Sequence, residues 1–214
     1  YTLADAVSFV IMRRLHLKTA WTLDHHFEEM GFSRVEQIRQ REQGIMGGTR
    51  MLTLWRTALW RQFGAAIETL DNALVACPDA LWHTPVWPDQ SDPPLPDGAE
   101  AFFWYVSYHT LFWLDLYLSG TEEGFAPPAP FTLGELDPSG IIPERPYTRE
   151  ELRGYLAHSR AKCQTTLAAL TDEQASRPCE FPWTKGEKVS FLEVRLDNMR
   201  HGQEHAAQLH LFLG

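Results

Sequence analysis

The chain has 214 residues, 44% of them apolar and 22% charged, with a formal net charge of −9; this suits one ordinary globular domain, with or without an appendage, and excludes a disordered chain. The charge is uneven, because residues 1–50 hold 7 Lys+Arg against 6 Asp+Glu, whereas residues 51–214 hold 12 against 22 and carry −10. Such an acidic segment has no electrostatic footprint for nucleic acid or an anionic membrane. Three cysteines, Cys77, Cys163 and Cys179, form neither a C-x-x-C pair nor an even framework, which favours a reduced, cytoplasmic setting. No apolar run approaches the ~20 residues that cross a bilayer.

In chain order, Asp5 to Leu15 reads as a short helix, Thr19 to Leu23 as a strand, and His25 to Met30 as a helical turn ended by Gly31. The words TLADAVSFVIMRRLHLKTAWTLDHHFEEMGF resemble the C-terminal third of a PIN-domain ribonuclease of the VapC toxin type. That resemblance implies that Asp5 and Asp24 correspond to two members of a carboxylate cluster binding Mg²⁺ or Mn²⁺. The two earlier acidic residues of the family have no counterpart here, so residues 1–42 are expected to be a non-functional α/β remnant, a fragment of a longer reading frame that opens on Tyr1. His25 and His26 are adjacent and diverge by about 100° on a helix, which rules out a chelating pair. Residues 43–50, with three glycines, read as a linker, and Met51 as an original start.

Residues 51–214 follow a different plan. Leu52, Trp55, Leu59, Phe63, Ala66, Ile67, Leu70 and Leu74 recur at threes and fours, so a helix is predicted from Leu52 to Cys77, stopped by Pro78. A second helix spans Ala101 to Leu118 and closes at Ser119-Gly120. Thr148 with Glu151 forms a capping box opening a third helix to about Leu170, and Ser190 with Glu193 opens a fourth, Phe191 to Leu213. Of the 14 prolines, 12 lie between Pro78 and Pro146, in two long loops too aromatic to be plain connectors and expected to fold over one end as a rim. The fold class is therefore all-α, a four-helix bundle with two long proline-rich loops and a short N-terminal α/β remnant.

Within the last helix, His201 and His205 stand one turn apart on the same face, at roughly 40° of separation. Val194, Asn198, Leu209 and Phe212 share that face, so the pair lies on an apolar stripe. Two imidazoles so placed converge on one metal ion. The third ligand is expected from His109, in register with Phe102, Tyr105, Phe112, Trp113 and Leu116 on the aromatic second helix. Three neutral nitrogen ligands leave a fourth position open, the catalytic rather than the structural arrangement of zinc.

The segments WYVSYHTLFWLDLYL, PFTLGELDPSGIIPERPYTREEL and NMRHGQEHAAQLHLFL together resemble the DinB/YfiT-like superfamily of metal-binding four-helix bundles. The resemblance implies a divalent metal, Zn²⁺ or Ni²⁺, on His109, His201 and His205, activation of a low-molecular-weight thiol for transfer or of water for hydrolysis, a small-molecule substrate, and a homodimer. The competing readings are a non-catalytic metal-binding stress protein and, last, a PIN-type ribonuclease fragment. Asn198, Gln208 and Asp197 fall three or four residues from a ligand and are the candidates to orient the imidazoles. His210 lies about 140° from His205 and is not expected at the metal. His83 and His158 read as surface residues and Cys163 as a small core residue.

Overall fold

The computed structural model describes residues 19–20, 33–34, 49–87, 101–137, 141–181 and 188–214, and every contact below is among these. The chain divides into two compact units, Tyr1–Met51 and Leu52–Gly214. In the first, β1 (Thr19–Ala20) pairs in parallel with β2 (Ser33–Arg34). Asp5 and Asp24, together with the helix and turn expected around them, lie outside the described residues.

The second unit is built on four long helices: α1 (Thr49–Ala76), α2 (Phe103–Ser119), α3 (Arg149–Ala169) and α5 (Phe191–Leu213). A short α4 (Asp172–Ser176) follows α3, and Pro178–Cys179 (β3) pairs antiparallel with Val189–Ser190 (β4) just before α5. The helical bundle read from the sequence is the observed architecture. Two starts differ: α2 begins at Phe103 rather than Ala101, and α1 begins at Thr49, two residues inside the segment read as a linker. The two residues, Thr49 and Arg50, carry no helix breaker, and they extend a turn that the apolar spacing alone did not require.

The centre of the unit is α2. Its apolar residues run round the whole circumference rather than along one stripe, the pattern of a helix enclosed on all sides. Phe103, Leu111, Phe112, Leu114 and Leu116 are all buried, and α3 and α5 pack directly on it. Each such Leu or Phe withdrawn from water contributes about 1.5–3 kcal/mol. Phe63, Ile67, Leu70 and Leu74 of α1 close the same core. Two polar contacts also tie α1 in: His210 Nε2 donates to the Thr69 carbonyl at 2.9 Å, and Arg149 donates to the carbonyls of Leu74 and Cys77. A guanidinium there satisfies orphan carbonyls at the α1 C-terminus and opposes their partial negative charge. Both capping boxes read from the sequence are present, at Thr148–Glu151 and Ser190–Glu193.

A buried polar network joins α2 and α3. Asp115 has no exposed surface, yet its carboxylate is fully engaged: Lys162 Nζ donates to Oδ1 and Tyr155 donates to Oδ2 at 3.1 Å. The same ammonium donates to the Asp115 carbonyl at 3.0 Å and to Ser119 Oγ at 2.7 Å.

Helix α2 ends at Gly120, whose φ of 76° lies in the left-handed region and whose amide returns to the Leu116 and Tyr117 carbonyls. A Cβ there would stand 2.6 Å from the Phe191 ring and 2.8 Å from Arg177 Nη2. Gly120→Ala therefore combines backbone strain with a steric clash and is expected to cost about 1–3 kcal/mol, read as a lower midpoint in urea unfolding. No described helix is long and apolar enough to cross a membrane.

Candidate metal centre

His109 sits mid-way along α2, and His201 and His205 sit one turn apart on α5. Where these helices pack, one ring nitrogen from each histidine lies within 4.8 Å of the other two. Ring centroids are 5.4 Å apart for His109–His201, 5.2 Å for His109–His205 and 4.5 Å for His201–His205. The two Nε2 atoms of the α5 pair approach to 3.1 Å, close to the ~3.3 Å ligand–ligand edge of a tetrahedral site with Zn–N bonds of about 2.05 Å. Asn198 sets the register of this crossing by donating from Nδ2 to the Leu114 carbonyl at 3.0 Å.

Tautomers follow from the partners. Glu135 Oε2 lies 2.7 Å from His109 Nδ1, and a carboxylate oxygen only accepts, so Nδ1 carries the proton and the Nε2 lone pair is left free. Trp113 Nε1 is 3.0 Å from the same Oε2 and 3.2 Å from Nδ1. Because Nδ1 is itself a donor, the indole bond belongs to the carboxylate. Likewise His205 Nδ1 faces Gln208 Oε1 at 2.7 Å, which fixes its proton on Nδ1 and its lone pair on Nε2. His201 differs, since its Nδ1 is buried and unpartnered.

The protonation equilibria favour free lone pairs. Burial first, then the neighbouring His205 and His109 rings, pushes His201 down from 6.5 to about 3. Burial and His109 push His205 down as well. Burial pushes the Glu135 carboxyl up, but hydrogen bonds and charge from His109, with contributions from Tyr105 and Trp113, outweigh it and hold the group below the ordinary carboxylate range. The cluster thus unites the neutral imidazoles of His201 and His205 with a carboxylate whose side chain is only 5% exposed, while His109 keeps 31% of its surface open to solvent. A divalent cation fits this donor set, supplying a positive charge against the buried carboxylate and a partner for lone pairs that otherwise face one another.

The unfolded chain binds a proton at His201 near pH 6.5 and the folded chain only near 3, so between these values the unfolded state holds more protons. Without metal, the bundle is expected to have its full His201 contribution above about pH 6.5 and to lose it as pH falls towards 3. Urea midpoints of chelator-treated protein across that range, compared with those of His201→Asn, check the assignment.

Of the residues read from the sequence, the structure brings together His109, His201, His205 and Gln208. Asn198 spends its amide donor on α2. Asp197 pairs with Arg200 on the exposed side of α5. His83 and His158 are exposed, His158 lying 3.7 Å from Asp115, and Cys163 is buried. Spacing did not reveal Glu135, which arrives on a 3-10 turn (Gly134–Leu136) 26 positions from His109. Glu135→Ala is expected to weaken divalent-metal binding about 10–100-fold, with Glu135→Gln in between because its amide oxygen still accepts from Nδ1. Competition with a chromogenic chelator measures both.

No curated protein matches the chain. A solved structure described as the conserved protein of locus from Enterococcus faecalis aligns with a TM-score of 0.46 and 19% identity, over 73% of this chain and 94% of that one. The family model of the DinB superfamily matches residues 62–209, more than half of the chain, a span running from α1 to the last turns of α5 and including all three histidines. With that match, the chain belongs to the DinB superfamily.

Proposed function

We propose that this protein is a metal-dependent enzyme acting on a small molecule, with His109, His201 and His205 as the protein ligands of one divalent cation. The observation that supports it most directly is the convergence of three ring nitrogens from two helices within 4.8 Å. A divalent cation on three neutral nitrogens supplies Lewis acidity and acidifies a thiol or water in its remaining position. Residues of the chain supply the rest. Glu135 and Gln208 hold the His109 and His205 rings with Nε2 directed away from their Nδ1 partners. Trp113 donates to the Glu135 carboxylate at 3.0 Å, and Tyr117 flanks His201 at 6.5 Å between centroids. The half-open side at His109 is the route for a reactant. Thiol S-transfer and hydrolysis both use such a site.

Elemental analysis of purified protein, followed by a screen for metal-dependent consumption of low-molecular-weight thiols with electrophiles and for ester and amide hydrolysis, tests this reading. About one divalent ion per chain and turnover abolished by chelation and restored by metal support it. Metal without turnover leaves the non-catalytic metal-binding protein, and failure to take up any divalent ion sinks the reading altogether.

A further inference from the structure

Away from the histidines, at the opening of α5, Arg195 is fully enclosed, with no exposed surface. Its Nε donates to the Phe191 carbonyl at 3.3 Å, but Nη1 and Nη2 are buried without an acceptor among the described residues. Its guanidinium carbon lies 3.8 Å from the centre of the Phe191 ring, and Arg177 covers the same ring at 4.8 Å. One aromatic ring thus carries two guanidinium groups. The stack fits over Gly120, whose missing Cβ is what admits both Phe191 and Arg177.

The ring cannot neutralise that charge. A desolvated cation–π contact is worth about 2 kcal/mol, whereas the effective penalty of burying an ion is several kcal/mol, and unpaired N–H donors add to it. Among the described residues, the acidic groups that act on its charge are the thiols of Cys179 and Cys163. Burial pushes Cys163 up to about 12 despite the pull of Arg195, and the Cys179 thiol donates to the Arg177 carbonyl at 4.0 Å, so neither serves as a counter-charge. Water satisfies N–H donors but brings no charge.

We infer that the Nη1 and Nη2 groups of Arg195 form an internal site for one small monovalent inorganic anion of the halide class. Full enclosure excludes organic carboxylates, and the two amino groups supply the N–H donors. The anion binds the folded protein only, so it raises stability by mass action.

The experiment compares thermal unfolding of the whole chain in sodium bromide and in sodium gluconate at equal ionic strength, for the wild type and for Arg195→Met. Above saturation, each tenfold rise in bromide is expected to raise the wild-type midpoint by roughly 3–5 °C, and the dependence is expected to vanish in Arg195→Met. Crystals grown in bromide give a readout that does not depend on the variant folding: an anomalous peak within hydrogen-bonding distance of Nη1 or Nη2. Identical wild-type curves in the two salts, a bromide dependence that survives Arg195→Met, or the absence of that peak each overturns the inference.

Discussion

His205→Ala is expected to strip the protein of its divalent ion while leaving the bundle standing. Three nitrogens within 4.8 Å are the minimum for a firm site of this kind, and His205 contributes the one whose tautomer is set by Gln208. Two remaining imidazoles on different helices bind weakly, so the loss in affinity is expected to exceed the ~10–100-fold that removal of a supporting partner produces. The metal-free protein responds differently. His201 and His205 sit half-buried with their Nε2 atoms 3.1 Å apart, and among the described residues the hydrogen bonds of the ring removed stay within α5. Melting curves of chelator-treated wild type and variant are therefore expected to nearly superimpose, whereas metal-loaded curves separate with the logarithm of free metal. Metal retained at wild-type affinity in His205→Ala would refute the assignment of this ligand.

Asp115→Ala is expected to do the reverse. Asp115 lies six residues beyond His109 on α2, roughly 240° round the helix, and faces Tyr155 and Lys162 of α3. Removing its carboxylate strands the Lys162 ammonium among Ser119, a carbonyl and the Phe125 ring, and leaves the buried Tyr155 hydroxyl without its acceptor. Breaking a buried pair from one side costs about 3–5 kcal/mol, or a midpoint lower by about 6–20 °C for a domain of this size. Asp115→Asn keeps an acceptor and is expected to fall between. Metal affinity at low temperature is expected to be unchanged, since the network and the histidines occupy different faces. Calorimetry with metal titration on the same preparations measures both quantities.

Much of this was legible in the residues because the signals were local. Helical spacing marks the apolar face of α1, and Thr148–Glu151 and Ser190–Glu193 mark where α3 and α5 begin, each box being complete within four residues. The His201–His205 pair is likewise a property of one helix. His109 was placed by its position among aromatics, and the packing of α2 on α5 brings it to the pair. What the sequence hid depends on tertiary placement. Glu135 stands in a proline-bounded loop with no periodicity to project its side chain anywhere. Asp115 and Lys162 look like ordinary charged residues until α2 and α3 meet. Arg195, in a helix that reads as amphipathic, gave no sign that it would be enclosed on every side.

The carboxylate that steadies His109 is delivered by a loop rather than by any of the four long helices. The three histidines and the group that orients one of them thus come from different tiers of the molecule, helices in one case and a connecting loop in the other. Length changes in this loop that spare Phe125, Phe131 and Tyr147, which pack in the core, can alter the setting of His109 and the shape of the entrance while the four helices keep their packing. A scaffold divided in this way lets the surroundings of His109 vary by loop replacement while the three histidines keep their places on the helices.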